Sequence, residues 1–259
     1  MKIYIHTDLE GAVGVDHIDM IFAGGKLTET AYQNLIWDIN AAAEGAFEAG
    51  ADTVTVLDSH GGGGGIDPAL LDARIDFDKK ENGKWWGKLD GSYDASLFIG
   101  AHAMAGTING FLDHTMNSAQ WYNYSLNGRR TGELGIWAAV CGHYNVPLIM
   151  VSGDQAACAE ARAFLGNLET VAVKQGAGRN TCVMYDQKQS RENIRSAVRR
   201  AVKNGMDAKP YRPIFPAEVR LELCRADFCE ELLMQHPGAE RMDARCLRKL
   251  AENALEILL

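Results

Sequence analysis

Four places in the chain put carboxylates or imidazoles directly after short runs of β-forming residues. The first run ends in Asp8-Leu9-Glu10, the second in Asp58-Ser59-His60, the third in Gly100-Ala101-His102 and the fourth in Ser152-Gly153-Asp154. In extended chain, residues i and i+2 share a face, so Asp8 and Glu10 can converge on one point. Glu133 stands at the start of an expected helix. Oxygen and nitrogen donors in this combination suit zinc or a similar divalent ion. Taken singly, each has a plainer explanation. An Asp or Ser after a strand commonly caps a helix or closes an Asx-turn, and His60 could simply bond a neighbouring carbonyl. Together they argue differently, because carboxylates converging in a partly dry cleft repel one another and a cation removes that conflict.

The elements that must position these residues read as an α/β fold, a mostly parallel sheet flanked by helices, with a smaller α+β C-terminal portion. Residues 2–8 and 52–58 are expected strands, and between them apolar residues recur at helical spacing from Thr28 to Gly50. Strand, helix, strand in this order predicts a βαβ unit with a right-handed crossover. A polar stretch, 78–93, precedes a third strand at 94–100. Turn signals at Asn109-Gly110 and Asn127-Gly128 suggest an irregular or hairpin region over 108–128. Helices are expected at 132–143, 154–165 and 189–203, and strands at 146–151 and 169–174. Beyond Pro210, Pro213 and Pro216 the texture changes, to a strand at 217–224 and helices at 227–235 and 243–258. The expected division is a catalytic domain over 1–209 and a strand-plus-helices portion over 210–259 packing on it. In open parallel sheets ligands bind beyond the carboxyl ends of the strands, where the candidate residues fall.

Composition narrows the partners. The 259 residues are 47% apolar and 23% charged, a globular balance that excludes wholesale disorder. The net charge of −8, without a basic run, argues against nucleic acid. Apolar stretches fall short of the ~20 residues that cross a bilayer, and the short run after Lys2 is no signal peptide. The six cysteines form no C-x-x-C pair and suit free thiols in a reducing cytoplasm. The run Gly61–Gly65 could cradle a phosphate, but it lacks the Gly-Lys-Ser/Thr ending of a P-loop. It is better read as backbone passing close to a neighbour. His6, His17, His143 and His236 read as structural, Lys174 and Arg179 as solvated surface, and Trp85-Trp86 as an oligomer contact in preference to a lid contact.

With these residues in place, the sequence resembles the M55 metallopeptidases, the D-aminopeptidase family. The matching segments are Asp8-Leu9-Glu10-Gly11, Asn40 to Gly45, Asp58-Ser59-His60-Gly61 and Gly100-Ala101-His102-Ala103-Met104-Ala105-Gly106-Thr107. His114-Thr115, Asn127-Gly128, Gly132-Glu133 and Val151-Ser152-Gly153-Asp154 follow in order. The resemblance implies two zinc ions per chain, with another divalent metal as the alternative. Asp8 would bridge them, Glu10 and His60 would complete one site, and His102 and Glu133 the other. It also implies a catalytic role for His114 and a ring-like homo-oligomer. The penta-glycine loop, the 108–126 segment and the stretch 16–30 depart from the family pattern and bear on substrate identity.

The implied chemistry is hydrolysis of the N-terminal amide bond of short peptides or amino-acid amides by metal-activated water. The choice between D- and L-residues is left open. His114 would carry the proton or steady the oxyanion. Backbone N–H groups around Ala103, Ala105 and Gly106 would approach the reacting carbonyl. Asp154 would orient a ligand histidine or cap the next helix. Three other readings stand beside this one: the same metal centre acting on another small amide or ester, a metal-free phosphate-binding module using the glycine loop, and a purely structural ring protein.

Overall fold

The computed structural model describes every residue except Ala23, Lys26 and Met206. β1 (Lys2–Thr7), α1 (Thr28–Glu48) and β2 (Thr53–Asp58) form the expected βαβ unit. They are followed by β3 (Ile75–Asp78) and β4 (Ala95–Ala101). The hairpin β5 (Trp121–Leu126) and β6 (Arg129–Arg130) precedes α2 (Glu133–His143), β7 (Leu148–Asp154), α3 (Gln155–Leu165) and β8 (Glu169–Gly178). Next come β9 (Thr181–Met184), α4 (Gln187–Asn204), β10 (Ala217–Leu223), α5 (Ala226–Gln235), β11 (Glu240–Arg241) and β12 (Cys246–Ala251).

The main sheet runs β3-β2-β1-β4-β7-β8-β9, parallel throughout except for β9, which lies antiparallel to β8. Both faces are covered, so the central strands β1, β4 and β7 are buried almost along their whole length and are mostly apolar. On one face, Leu35, Ile39 and Ala43 of α1 pack with Ile194, Val198 and Ala201 of α4. On the other, Trp137 and Ala138 of α2 meet Ala157 and Ala161 of α3. The opposite side of α2, with Ile136 and Ala139, packs on a second, antiparallel sheet ordered β11-β12-β10-β5-β6. Buried between two sheets, α2 is apolar all round from Leu134 to Gly142. The second sheet draws strands from residues 121–130 as well as from the C-terminal part.

The chain departs from expectation at its end. Residues 243–258 are not a helix: Cys246–Ala251 form β12, followed by a single 3₁₀ turn at Ala254–Glu256. Leu247, Leu250, Ala254 and Ile257 recur at helical spacing, yet β10 offers an open edge on which Leu247 pairs opposite Leu221. Tertiary pairing overrides local preference here. Trp85 and Trp86 are half-buried within the chain itself. They meet edge to face and pack on the core, with Trp85 6.4 Å from the Trp137 ring.

Strand order places the functional residues. From β1 the chain winds outward through β2 to β3, then returns across β1 to β4, so the switch point of the sheet lies between β1 and β4. The loops after these two strands touch backbone to backbone: Asp8 N–H donates to the Ile99 carbonyl at 2.9 Å, and Gly11 N–H to Gly100 at 2.8 Å. A Cβ on Gly11 would overlap the Ala101 carbonyl oxygen, and one on Gly100 (φ +83°) that of Asp8. Only glycine permits this approach.

Candidate metal centre

The switch point gathers all six residues singled out for chemistry. Asp8 and Glu10 come from the loop after β1, His60 from the loop after β2, His102 and His114 from the segment after β4, and Glu133 from the first position of α2. His102 Nε2 lies 3.2 Å from Asp8 Oδ2 and 3.4 Å from Glu133 Oε1. His60 Nε2 lies 3.5 Å from Glu10 Oε1. His114 Nε2 stands 3.5 Å from Glu133 Oε1 and 3.8 Å from Glu10 Oε1, its ring stacked on that of His102 at 4.0 Å.

Two subsets each bring three donor atoms within 4.8 Å of one another: Asp8, Glu10 and His60, and His102, His114 and Glu133. The short Asp8–His102 distance joins them. The imidazoles are aimed from behind. Nδ1 of His102 donates to the Ala103 carbonyl at 2.9 Å, and Nδ1 of His114 to the Leu112 carbonyl at 2.9 Å, leaving Nε2 of both rings to the site. His60 Nδ1 is 3.0 Å from the Tyr32 hydroxyl.

The electrostatics are unresolved within the protein alone. Burial, and then the Glu10 charge, push the Asp8 carboxyl up to about 7. Burial also pushes Glu10 upward, but His60, His102 and His114 outweigh it and hold that carboxyl well below its ordinary value. Burial lowers His60, yet Glu10, Asp8 and Asp58 raise it to about 9. Against the effect of burial, His102 and His114 bring Glu133 down to about 2. Although Asp8 Oδ2 and His102 Nε2 are close, these two atoms and Glu10 Oε2 are buried without a hydrogen-bond partner. Uncompensated polar atoms at such depth are costly. The donor set and its orphaned atoms fit divalent cations.

Above the cluster opens a cavity of about 800 Å³, walled by the glycine loop, Tyr32, Phe22 and Met116. The rest of the glycine loop is bound back to the protein. Asp58 Oδ2 accepts the N–H groups of Gly64, Gly65 and Ile66 at 2.8, 2.9 and 3.1 Å. Those donors are therefore spent on a carboxylate and do not form a phosphate cradle.

Other expectations change as well. The N–H of Ala105 donates to Thr115 Oγ1 at 3.3 Å and that of Gly106 to Asp113 Oδ2 at 2.6 Å, so neither is free for a reacting carbonyl. Asp154 caps α3, with its second oxygen on the Phe111 N–H. Lys174 is not a surface residue. It is wholly buried, with Nζ donating to the carbonyls of Glu10 and Val15 at 2.6 Å each. His6 is structural, as expected, stacked on Trp137 at 4.1 Å.

Residues 1–259 match the M55 peptidase family, D-aminopeptidase. The chain belongs to this family. It is 31% identical over 216 residues to the D-aminopeptidase of Bacillus subtilis (strain 168), spanning 82% of this chain and 78% of the relative. Its fold is similar to that of the Zn-dependent D-aminopeptidase DppA from Bacillus subtilis, described as a self-compartmentalizing protease. The TM-score is 0.93 at 28% identity, covering 99% of this chain and 94% of the other. Among the described residues, no helix of this M55 peptidase is long and apolar enough to cross a membrane.

Proposed function

We propose that this M55 peptidase is a zinc-dependent cytoplasmic aminopeptidase acting on short peptides and amino-acid amides, D-residues included. In this reading Glu10 and His60 would hold one zinc ion and His102 and Glu133 a second, with Asp8 contributing to both. The observation that supports it best is the set of buried, unpartnered atoms Asp8 Oδ2, Glu10 Oε2 and His102 Nε2, converging from the loops after β1 and β4. The relative's zinc dependence and D-aminopeptidase activity support the same reading.

Zinc bound by these residues would supply Lewis acidity, polarising the scissile carbonyl and acidifying water. The chain's own groups do the rest. The α-amine of the substrate would be received in the large cavity beside the metal centre, which disfavours internal peptide segments that lack a free amine. His114 is kept below its ordinary pKa by burial and by His102, so at neutral pH its ring is unprotonated. Nε2 can then take a proton from the attacking water and return it to the leaving amine, with Glu133 and Glu10 steadying the imidazolium in between. Enclosure in a homo-oligomeric ring, for which the relative's self-compartmentalizing character is the support, would limit substrates to short chains.

The test is elemental analysis of the purified protein, combined with hydrolysis of paired D- and L-aminoacyl amides before and after chelation. Two zinc ions per chain and chelator-sensitive release of amine are expected. Metal-free, active protein would overturn the reading. His114→Ala should keep the metal content while kcat falls about 10²- to 10⁴-fold. If one ion is lost as well, His114 is a ligand, a role that its grouping with His102 and Glu133 favours as the second reading.

A further inference from the structure

His114 borders two hollows, not one. Beyond the large cavity lies a second of about 290 Å³, and His114 and Ser118 line both. The walls of the smaller hollow come from the loop after β4, from β5 and from Arg130 in β6. The described residues lining the larger cavity include Asp8, Glu10, Glu29 and Glu133 but no lysine or arginine. The smaller contains the Arg130 guanidinium, tied through Nη2 to the Ala105 carbonyl. Among the described residues its other N–H groups have no hydrogen-bond partner. The one carboxylate in this hollow, Asp113, is already engaged: Oδ2 accepts the Gly106 N–H at 2.6 Å, and Oδ1 lies 3.8 Å from Arg179 Nε.

We infer that this second hollow receives the leaving portion of a short peptide, and that Arg130 binds its C-terminal carboxylate. The inference rests on the aminopeptidase reading. A substrate whose α-amine is received in the large cavity presents its scissile bond beside His114. The residue beyond that bond must then continue past His114, where the second hollow opens. A dipeptide carries its carboxylate there, one residue after the bond. A guanidinium matches such a group with two parallel N–H donors. Anchorage on Ala105 fixes Arg130 in place, so little side-chain freedom is lost when the carboxylate binds. Arg130 is thus a specificity residue, and free-acid dipeptides are the favoured substrate class.

The test compares a dipeptide with the same dipeptide carrying a C-terminal amide, using zinc-loaded wild type, Arg130→Gln and Arg130→Lys. Arg130→Gln should raise KM for the free acid about 10- to 100-fold, the loss expected for charge-assisted hydrogen bonds, with kcat nearly unchanged. The dipeptide amide should stay within about twofold of wild type, which also reports that the variant is folded. Arg130→Lys should recover part of the free-acid KM. Equal losses on both substrates, or no change on either, would overturn the subsite while leaving the aminopeptidase reading intact. Wild type inactive on both substrates would overturn that reading and the subsite with it.

Discussion

The loops after β1 and β2 both carry candidate ligands, yet they are held in opposite ways. The first, Asp8 to Val15, is anchored from inside the protein by charged groups. Lys174 binds the Glu10 and Val15 carbonyls, while Asp38 accepts the Val13 N–H at 2.7 Å and is itself paired with Arg191 at 3.1 Å. The second, His60 to Gly65, is glycine backbone tied to one buried carboxylate. The Asp58 carboxylate clasps three N–H groups, Lys80 donates to the Gly62 carbonyl, and Gly61 to Gly64 all have positive φ. Burying an ammonium such as Lys174 is costly. The fold accepts that cost under the loop that supplies two carboxylates, whose mutual repulsion would otherwise drive them apart. Around the cavity mouth, glycine backbone tied to Asp58 suffices. A buried ammonium and a buried ion pair are confined to the loop beneath the charged centre.

The sharpest break in this contrast is Asp8→Ala. Removing the proposed bridge should abolish retention of two ions per chain and cut turnover by more than the about 10- to 100-fold typical of groups that only support a ligand. The melting temperature of the metal-free protein should not fall, because the substitution also removes a buried carboxylate with an orphaned oxygen. Retention of both ions would contradict the bridging role. Lys174→Met should come next. It leaves the Glu10 and Val15 carbonyls without a donor, at about 1–3 kcal/mol for each unsatisfied group, and should weaken zinc affinity through Glu10.

Lys174 also has a pH signature. Burial brings its pKa down to about 8, against roughly 10.4 when unfolded. Between those values the unfolded chain binds more protons, so wild-type stability gains a rising contribution with pH, about 3 kcal/mol in all. Below pH 8 the full cost of the buried charge is present. The stability difference between wild type and Lys174→Met should therefore widen in favour of wild type from pH 8 to about 10.4. Denaturant unfolding at pH 7.5, 9 and 10 checks it, and a constant difference would mean that Lys174 does not titrate in that window.

Much of the centre was legible because its residues sit where short β-forming runs stop. Asp8, Glu10, His60 and His102 each follow such a run, and the parallel strand order implied by the βαβ pattern brings strand ends together. Glu133 joined them from its place at the start of an expected helix, whereas His114, whose local pattern is unremarkable, was reached through the family resemblance. What stayed hidden depends on distant partners. Lys174 ends the run Glu169-Thr-Val-Ala-Val-Lys and looks like a solvated strand end, but its burial is decided by carbonyls about 160 residues earlier. The pairing of Tyr32 with His60 has no local signal, although Gly65, where a Cβ would overlap the Tyr32 ring, marks it in retrospect. β3 is four residues long within a polar stretch, and β12 carries helical spacing that its neighbour β10 overrules.

The mildest test lies in the rim loop. Asp58→Ala removes the acceptor shared by Gly64, Gly65 and Ile66, but Gly64 and Gly65 lie where water can replace it. Stability should drop by only about 1–3 kcal/mol, while KM rises as His60 and the cavity wall loosen and the Lys174-anchored Glu10 stays in place. Gly64→Ala probes the same loop without touching the clasp. Its φ of +99° strains any other residue, but no atom lies within 4 Å of the added Cβ, so the cost is backbone strain of about 1 kcal/mol. Steady-state kinetics should show a KM change below about threefold. If Gly64→Ala impairs KM as much as Asp58→Ala does, the loop backbone contacts substrate directly. The rim would then be part of the binding surface, as rigidly required as the anchored loop beneath it.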